Sequence, residues 1–284
     1  YYASGNLVYL SHGNLVAQPF DPKTGTLSGV PIPLAIDVLE IAGAAKGAFS
    51  ASTEGSLIYL RGQASQEGYL TWRERDGQII EQIGDPATYW SIALSPDSRS
   101  AVASIINPVA GTGDLWIVDL ERKFLTRFTN DPADDYYPVW SHDSRGLYFL
   151  SDREPGAAVY FKEVGSSDPP RKLLARDELF SLYDVTADGS TIIYSALGEE
   201  TNWDLWSAAL DGETEPRILR QSRSVDERGI LSPDDEWLAF TSGESGQYQV
   251  YVAPWPAMTP ITQVSTTSGF YSAWSRDGRE LIFQ

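Results

Sequence analysis

Apolar and polar residues alternate in short runs along almost the whole chain, and no run keeps the 3.6-residue spacing of an amphipathic helix. Runs of this length and period predict strands with one buried face. The runs also repeat in wording. "LSPDSRSAVAS" from Leu94, "WSHDSRGLYFLS" from Trp140, "VTADGSTIIYS" from Val185, "LSPDDEWLAFTS" from Leu231 and "WSRDGRELIFQ" from Trp274 align, and "SASTEGSLIYL" from Ser50 is a weaker copy. Their shared acidic positions are Glu54, Asp97, Asp143, Asp188, Asp234 and Asp277. A period of about 40 to 45 residues is the length of one propeller blade.

Each unit reads as a strand, a tight turn built on Asp with Gly or Ser, and a second alternating strand, the pattern of a β-hairpin. A third strand follows in "GYLTWRER", "GDLWIVDL", "AAVYFKEV", "WDLWSAAL" and "YQVYVAPW". A fourth follows in "QIIEQIG", "FLTRFTN", "RKLLA", "PRILR" and "PITQVST". Four antiparallel strands per repeat make the expected fold an all-β propeller over a single domain, residues 1–284. Six blades follow most naturally, with seven as the alternative. The segment "GNLVYLSHGNLVAQPFDPKTGTLSGVPIPLA" reads as second, third and fourth strands, and "GFYSAWSRDGRELIFQ" as a first and second. Joining the two would close the ring and remove open sheet edges.

This wording resembles the TolB-like, WD-type propeller repeats. The residues that carry the likeness are the Ser-Pro-Asp-(Gly/Ser) hairpins, the Asp-Leu-Trp third strands, "TRFTNDPADDYYPVWSHDS" and "SGESGQYQVYVAPWP". More narrowly, it is similar to the propeller at the C-terminal end of certain bacterial transmembrane serine/threonine protein kinases. The resemblance implies an extracytoplasmic or periplasmic sensing or protein-binding module. It carries over no catalytic residue, and the chain holds no kinase motif.

Composition narrows the chemistry. The 284 residues carry 21 basic and 39 acidic side chains, a formal net charge of −18. That charge repels a phosphate backbone and an anionic lipid surface, so no nucleic-acid partner is expected. No apolar run reaches the roughly 18 residues of a membrane span, so no membrane insertion is expected within this segment. Cysteine is absent and the histidines are His12 and His142, which removes thiolate nucleophiles and disfavours a histidine-rich metal site. No cofactor and no metal is expected.

Ser141, His142 and Asp143 stand side by side, yet neighbours in extended chain point to opposite faces, whereas a hydrolytic triad must converge. The stretch reads as one more hairpin turn, with His142 in the slot that Pro96 and Pro233 fill elsewhere. The run Asp131 to Asp135 reads as a solvated loop, and Trp116, Trp140, Trp206 and Trp274, at equivalent repeat positions, as core between blades.

Function is expected on the loops that join one blade's outer strand to the next blade's inner strand, around residues 85–90, 130–137, 176–181, 222–228 and 266–271. They bring aromatic and charged side chains to the mouth of the central channel. The candidate partner-binding residues are Tyr89, Trp90, Asp135, Tyr136, Tyr137, Tyr183, Asp226, Glu227, Arg228, Phe270 and Tyr271. A negative aromatic surface suits a basic protein or peptide partner. The reading is therefore a non-enzymatic binding or sensory module. The alternative is a hydrolase or lyase acting on a sugar or lactone in the channel.

Overall fold

The computed structural model describes residues 2–3, 6–11, 14–24, 26–35, 40–41, 46–47, 49–51, 57–59, 67–74, 78–175, 180–198 and 200–283. Among them every regular element is a β-strand. No helix there is long and apolar enough to cross a membrane. The chain divides into two compact units, Tyr1–Gln66 and Glu67–Gln284.

In the first unit the N-terminal segment forms the three antiparallel strands that its alternation predicts, Asn6–Ser11, Asn14–Asp21 and Ile32–Ala35. Leu15 and Val16 are buried, and the Tyr9 hydroxyl donates to Gln18 Oε1 at 2.8 Å. The weak repeat copy pairs Phe49–Ala51 antiparallel with Leu57–Tyr59; residues 52–56, with Glu54, lie outside the described residues.

The second unit is a succession of antiparallel sheets. Sheet one holds Glu67–Arg73, Ile79–Leu94, Ser100–Ile106, Gly113–Asp119 and Phe124–Arg127. Sheet two holds Asp135–Trp140, Gly146–Ser151, Ala158–Glu163 and Arg171–Ala175. Sheet three holds Phe180–Val185, Thr191–Leu197, Trp203–Ala209 and Arg217–Arg220. Sheet four holds Asp226–Leu231, Trp237–Ser242, Gln249–Pro254 and Thr262–Gln263, and the pair Ala273–Trp274 with Leu281–Ile282 is the fifth. Sheets two to four are the expected four-stranded blades.

Sheet one departs from expectation. Residues 85–90 are not a loop, because Ile79–Leu94 is continuous and pairs first with Glu67–Arg73 and then with Ser100–Ile106. Asp85 precedes Pro86, which holds it extended, and Thr88, Tyr89 and Ile92 are strand formers. Gly84 absorbs the change of direction at φ +74°.

The repeated turn has one chemistry. Ser95, Ser141, Thr186, Ser232 and Ser275 donate their hydroxyls to Asp97, Asp143, Asp188, Asp234 and Asp277 at 2.5–2.7 Å. The same Asp oxygens accept the backbone N–H two residues on. These bonds favour the charged form and hold all five carboxyls below their ordinary range. The Ser141 hydroxyl is thus committed to Asp143, and the Ser141–His142–Asp143 triplet is a hairpin turn.

Between sheets the core is continuous. Val102 and Leu115 of sheet one pack with Leu147 and Phe149 of sheet two. Leu150 and Val159 meet Leu182 and Ile192 of sheet three, and Ile193 and Leu205 meet Leu238 and Phe240 of sheet four. Trp140 and Trp274 fill the same repeat position, and their indole N–H groups donate to Ala93 O at 3.1 Å and Ile230 O at 3.3 Å on the preceding inner strand. Trp206 packs against the core between sheets two and three.

Candidate functional site

The inner strands do not run straight. Register shifts fall between Tyr89 and Ser91, Tyr136 and Val139, Leu182 and Asp184, and Glu227 and Ile230. Such bulges re-aim the side chains beside them. Counted from the turn Asp, Tyr137, Arg228 and Tyr271 fill the same slot, and all three adopt left-handed backbone, at φ +49°, +59° and +50°. For residues with a Cβ this costs about 1 kcal/mol or more each.

The bulges place aromatic side chains around two cavities. One, of about 330 Å³, is lined by Trp90, Tyr136, Tyr137, Trp203, Asp134 and Asp152, with Ser181 behind. Trp90 is 61% exposed, and Tyr136 and Tyr137 meet edge to face with centroids 5.5 Å apart. Asp134 Oδ1 accepts the Gly113 N–H at 2.5 Å and Asp152 Oδ1 the Asp134 N–H at 2.8 Å. Among the described residues no Lys or Arg pairs with either. Burial first, then the charges of Asp152 and Asp134, push the Tyr136 phenol up to about 12.

The second cavity, of about 210 Å³, is lined by inner-strand residues of the first four sheets, Ser91 to Ala93, Tyr137, Tyr183 and Arg228, and by Tyr271 and Ser272 just before the fifth. The Arg228 guanidinium lies 3.9 Å from the Tyr271 ring centroid and 4.6 Å from that of Phe270, a cation–π clamp. Glu227 Oε1 is 3.9 Å from Arg228 Nε, and Glu227 Oε2 accepts from the Tyr183 hydroxyl at 3.3 Å. Burial raises both the Glu227 carboxyl and the Tyr183 phenol above their ordinary values.

Eight of the eleven candidate residues therefore gather here: Trp90, Tyr136, Tyr137, Tyr183, Glu227, Arg228, Phe270 and Tyr271. Three do not. Tyr89 packs against the buried cluster of Ile83, Ala101, Ala103 and Val118 in sheet one and donates to Asp85 O at 3.0 Å. Asp135 and Asp226 are both 0% exposed. Asp135 Oδ1 accepts from Arg153 Nη2 at 2.7 Å, and Asp226 Oδ1 lies 3.8 Å from Arg220 Nε. Neither can meet a partner as a surface charge: each opens an inner strand with its carboxylate turned into the sheet, toward an arginine. Residues 176–179 lie outside the described residues.

Sequence reasoning passed over Trp203, Asp152, Ser91, Ser272 and Asp184. Trp203 and Asp152 sit beside the loops between second and third strands, which share a face with the outer-to-inner loops, so position alone could have flagged them. Asp184 fills a slot held by Ala93, Val139, Ile230 and Ala273 in the other repeats. Its oxygens accept the Leu231 and Val185 N–H groups at 2.7 and 2.8 Å, and burial raises its carboxyl to about 7. It borders a larger cavity, of about 640 Å³, on the hairpin-turn side. Among the described residues no three His, Cys, Asp or Glu side chains form a group able to hold a metal ion.

No family model matches the chain. The Tol-Pal system protein TolB of Helicobacter pylori is 29% identical over 114 residues, covering 37% of this chain and 27% of the relative, so the match spans about a quarter of that protein's length. A solved structure assigned to TolB from Agrobacterium tumefaciens superimposes with a TM-score of 0.61 at 17% identity, covering 72% of each chain. A propeller in a crystal structure of a nidogen/laminin complex gives 0.57 at 9% identity, covering 98% of this chain and 84% of that one. The fold is a TolB-like β-propeller.

Proposed function

We propose that the chain is a non-enzymatic binding module that presents the Trp90–Tyr136–Tyr137–Trp203 mouth to a protein or peptide partner carrying basic groups. One observation carries this reading. A largely exposed tryptophan and two tyrosines surround a cavity whose carboxylates, Asp134 and Asp152, have no cation among the described residues. A folded monomer gains nothing from exposing that surface, whereas an aromatic anchor with an unpaired acid suits a basic partner. The likeness to TolB, and to a propeller solved in a protein complex, supports a protein as partner. An extracytoplasmic setting, and the narrower likeness to kinase propellers, belong to this reading by resemblance.

The test is a displayed-peptide selection against the purified chain, followed by surface resonance at several salt concentrations. Selected peptides are expected to carry Lys or Arg. Trp90→Ala is expected to weaken them at least tenfold through faster dissociation, as loss of an aromatic hot spot does. Replacing Asp134 and Asp152 together by Asn flattens the salt dependence. Peptides indifferent to all three substitutions would place binding elsewhere. Turnover of a sugar or lactone in a substrate screen, lost when the two Asn replacements are made, would instead favour the hydrolase or lyase alternative.

A further inference from the structure

Residues lining the cavity around Arg228 carry buried polar atoms that the fold leaves unused. Ser91 Oγ, Ser272 Oγ and Arg228 Nε are all buried and have no hydrogen-bond partner, and all three residues line this one cavity. Buried polar atoms without partners are rare, and a group of them on residues around one cavity asks for an explanation. The backbone adds a second, independent sign: the left-handed residues Tyr137 and Arg228 of inner strands, and Tyr271 just before one, line the same cavity. Strain of this kind concentrates where a ligand is gripped.

The atoms define what they would hold. A guanidinium only donates, and a serine hydroxyl can donate by rotating, so their common complement is an acceptor without protons of its own. A carboxylate fits the planar fork of arginine better than a lone carbonyl does. The Tyr137, Tyr183 and Tyr271 rings form walls suited to a flat or apolar body behind the acid. Glu227, the carboxylate that faces Arg228, stands 3.9 Å from Nε, beyond hydrogen-bond reach, and its other oxygen is engaged by Tyr183.

We propose that this cavity binds a carboxylate carried on a small flat or apolar body, with Arg228 and the Ser91 and Ser272 hydroxyls as its donors. The inference rests on the partner-binding reading only for the carrier of the carboxylate. The acid can belong to a peptide partner or to a free small molecule.

Benzoate is the probe and benzamide its neutral match. Benzoate is expected to shift the Arg228 Nε–H resonance saturably, with the signal identified by its loss in Arg228→Gln. Benzamide is expected to bind at least tenfold more weakly, and Arg228→Gln to cost benzoate at least tenfold. Changing Ser91 and Ser272 together to Ala guards against a folding artefact: the melting temperature should hold or rise, because unpartnered hydroxyls are removed, while benzoate weakens three- to tenfold. Equal binding of benzamide and benzoate, or an unmoved Arg228 signal, overturns the proposal. So does a Ser-to-Ala pair that melts lower and binds benzoate unchanged. Displacement of a selected peptide by benzoate assigns the acid to the partner, and simultaneous binding assigns it to a free molecule. Trp90-dependent peptide binding without a benzoate site removes this inference alone. A benzoate site without peptide binding removes the function reading alone.

Discussion

Asp135 is a buried carboxylate held by one arginine, and removing that arginine should be among the most damaging single changes in the second unit. Arg153 Nη2 reaches Asp135 Oδ1 at 2.7 Å, Arg153 Nε donates to Ser151 Oγ at 2.9 Å, and the guanidinium lies 4.6 Å from the Tyr160 ring centroid. The arginine side chain is only 15% exposed, so little solvent screens the pair. Arg153→Met keeps the apolar stem and deletes the charge, leaving Asp135 without a counter-ion. Breaking a buried pair from one side costs about 3–5 kcal/mol. At about 2–4 °C per kcal/mol for a unit of this size, melting should fall by about 10 °C. Burial already raises the Asp135 carboxyl, and without Arg153 it should rise further, so the variant should recover stability as pH is lowered toward 5. Adding Asp135→Asn to the same chain removes the orphan charge and should restore about half the loss. Urea unfolding of the wild type, both single variants and the double variant at pH 5 and pH 8 supplies the cycle. Additive losses with no pH dependence would refute a buried ion pair. Weaker peptide binding by Asp135→Asn, with unchanged urea midpoint, would return Asp135 to the partner surface.

Two further predictions concern the repeated turns and the inner strands. Ser98 stands at φ +59° with no side-chain hydrogen bond among those described, so Ser98→Gly should raise stability by about 0.5–1 kcal/mol in thermal unfolding. Ser144→Gly should give less, because Ser144 Oγ accepts the Asp97 N–H at 3.1 Å. Asp184, raised to about 7, should shape the pH profile. A raised folded value means the native state holds a proton that the unfolded state has released above about pH 4, so this contribution is full below that pH and is lost as pH rises through 7. Asp184→Asn should be less stable at every pH, since its NH₂ meets a backbone N–H, but its profile between pH 5 and 8 should be flatter than the wild type's, with the raised Asp135 and Glu227 carboxyls still contributing. The lowered turn carboxyls act in the opposite sense: their contribution is present above the unfolded value and fades as pH falls through the folded values. A wild-type profile with no loss between pH 5 and 8 would contradict the assignment for Asp184.

The turns were legible because their cause is local. Ser, x and Asp within three residues close the same hydrogen bonds wherever they recur, and the alternation on either side fixes which face is buried. The inner strands were legible only in part. A register shift between Tyr136 and Val139 breaks the two-residue alternation, so counting parity from Asp135 cannot say which of Asp135, Tyr136 and Tyr137 turns outward. The same holds from Asp226 through Arg228. The arginines that claim the two aspartates lie on other strands or loops, Arg153 being 18 residues downstream of its partner. Nothing in the composition of residues 135–137 announces that pairing. The Gly84-Asp85-Pro86 triplet misled in the other direction, because it has the residues of a loop while its neighbours favour an extended chain.

The net charge of −18 is not one quantity for function. On the hairpin-turn side the recurring aspartates are each satisfied by a hydroxyl and a backbone N–H, and their acidity follows from how the repeat closes its turns. On the other side Asp135 and Asp226 are set against arginines, which removes two of the apparent acids from the mouth. Among the described residues, the acids that line the Trp90 cavity are Asp134 and Asp152; Asp134 Oδ1 and Asp152 Oδ1 accept backbone N–H groups that orient them without neutralising them. A carboxylate oriented in this way keeps its charge for an incoming group, whereas one already paired must first be freed. Left-handed backbone occurs on both sides: in the turns at Ser98, Ser144, Gly189, Asp235 and Gly278, and in or just before the inner strands at Tyr137, Arg228 and Tyr271. Strain, unused donors and unneutralised acid thus fall together around Tyr137, which lines both cavities, and a partner engaging one cavity must touch the wall of the other.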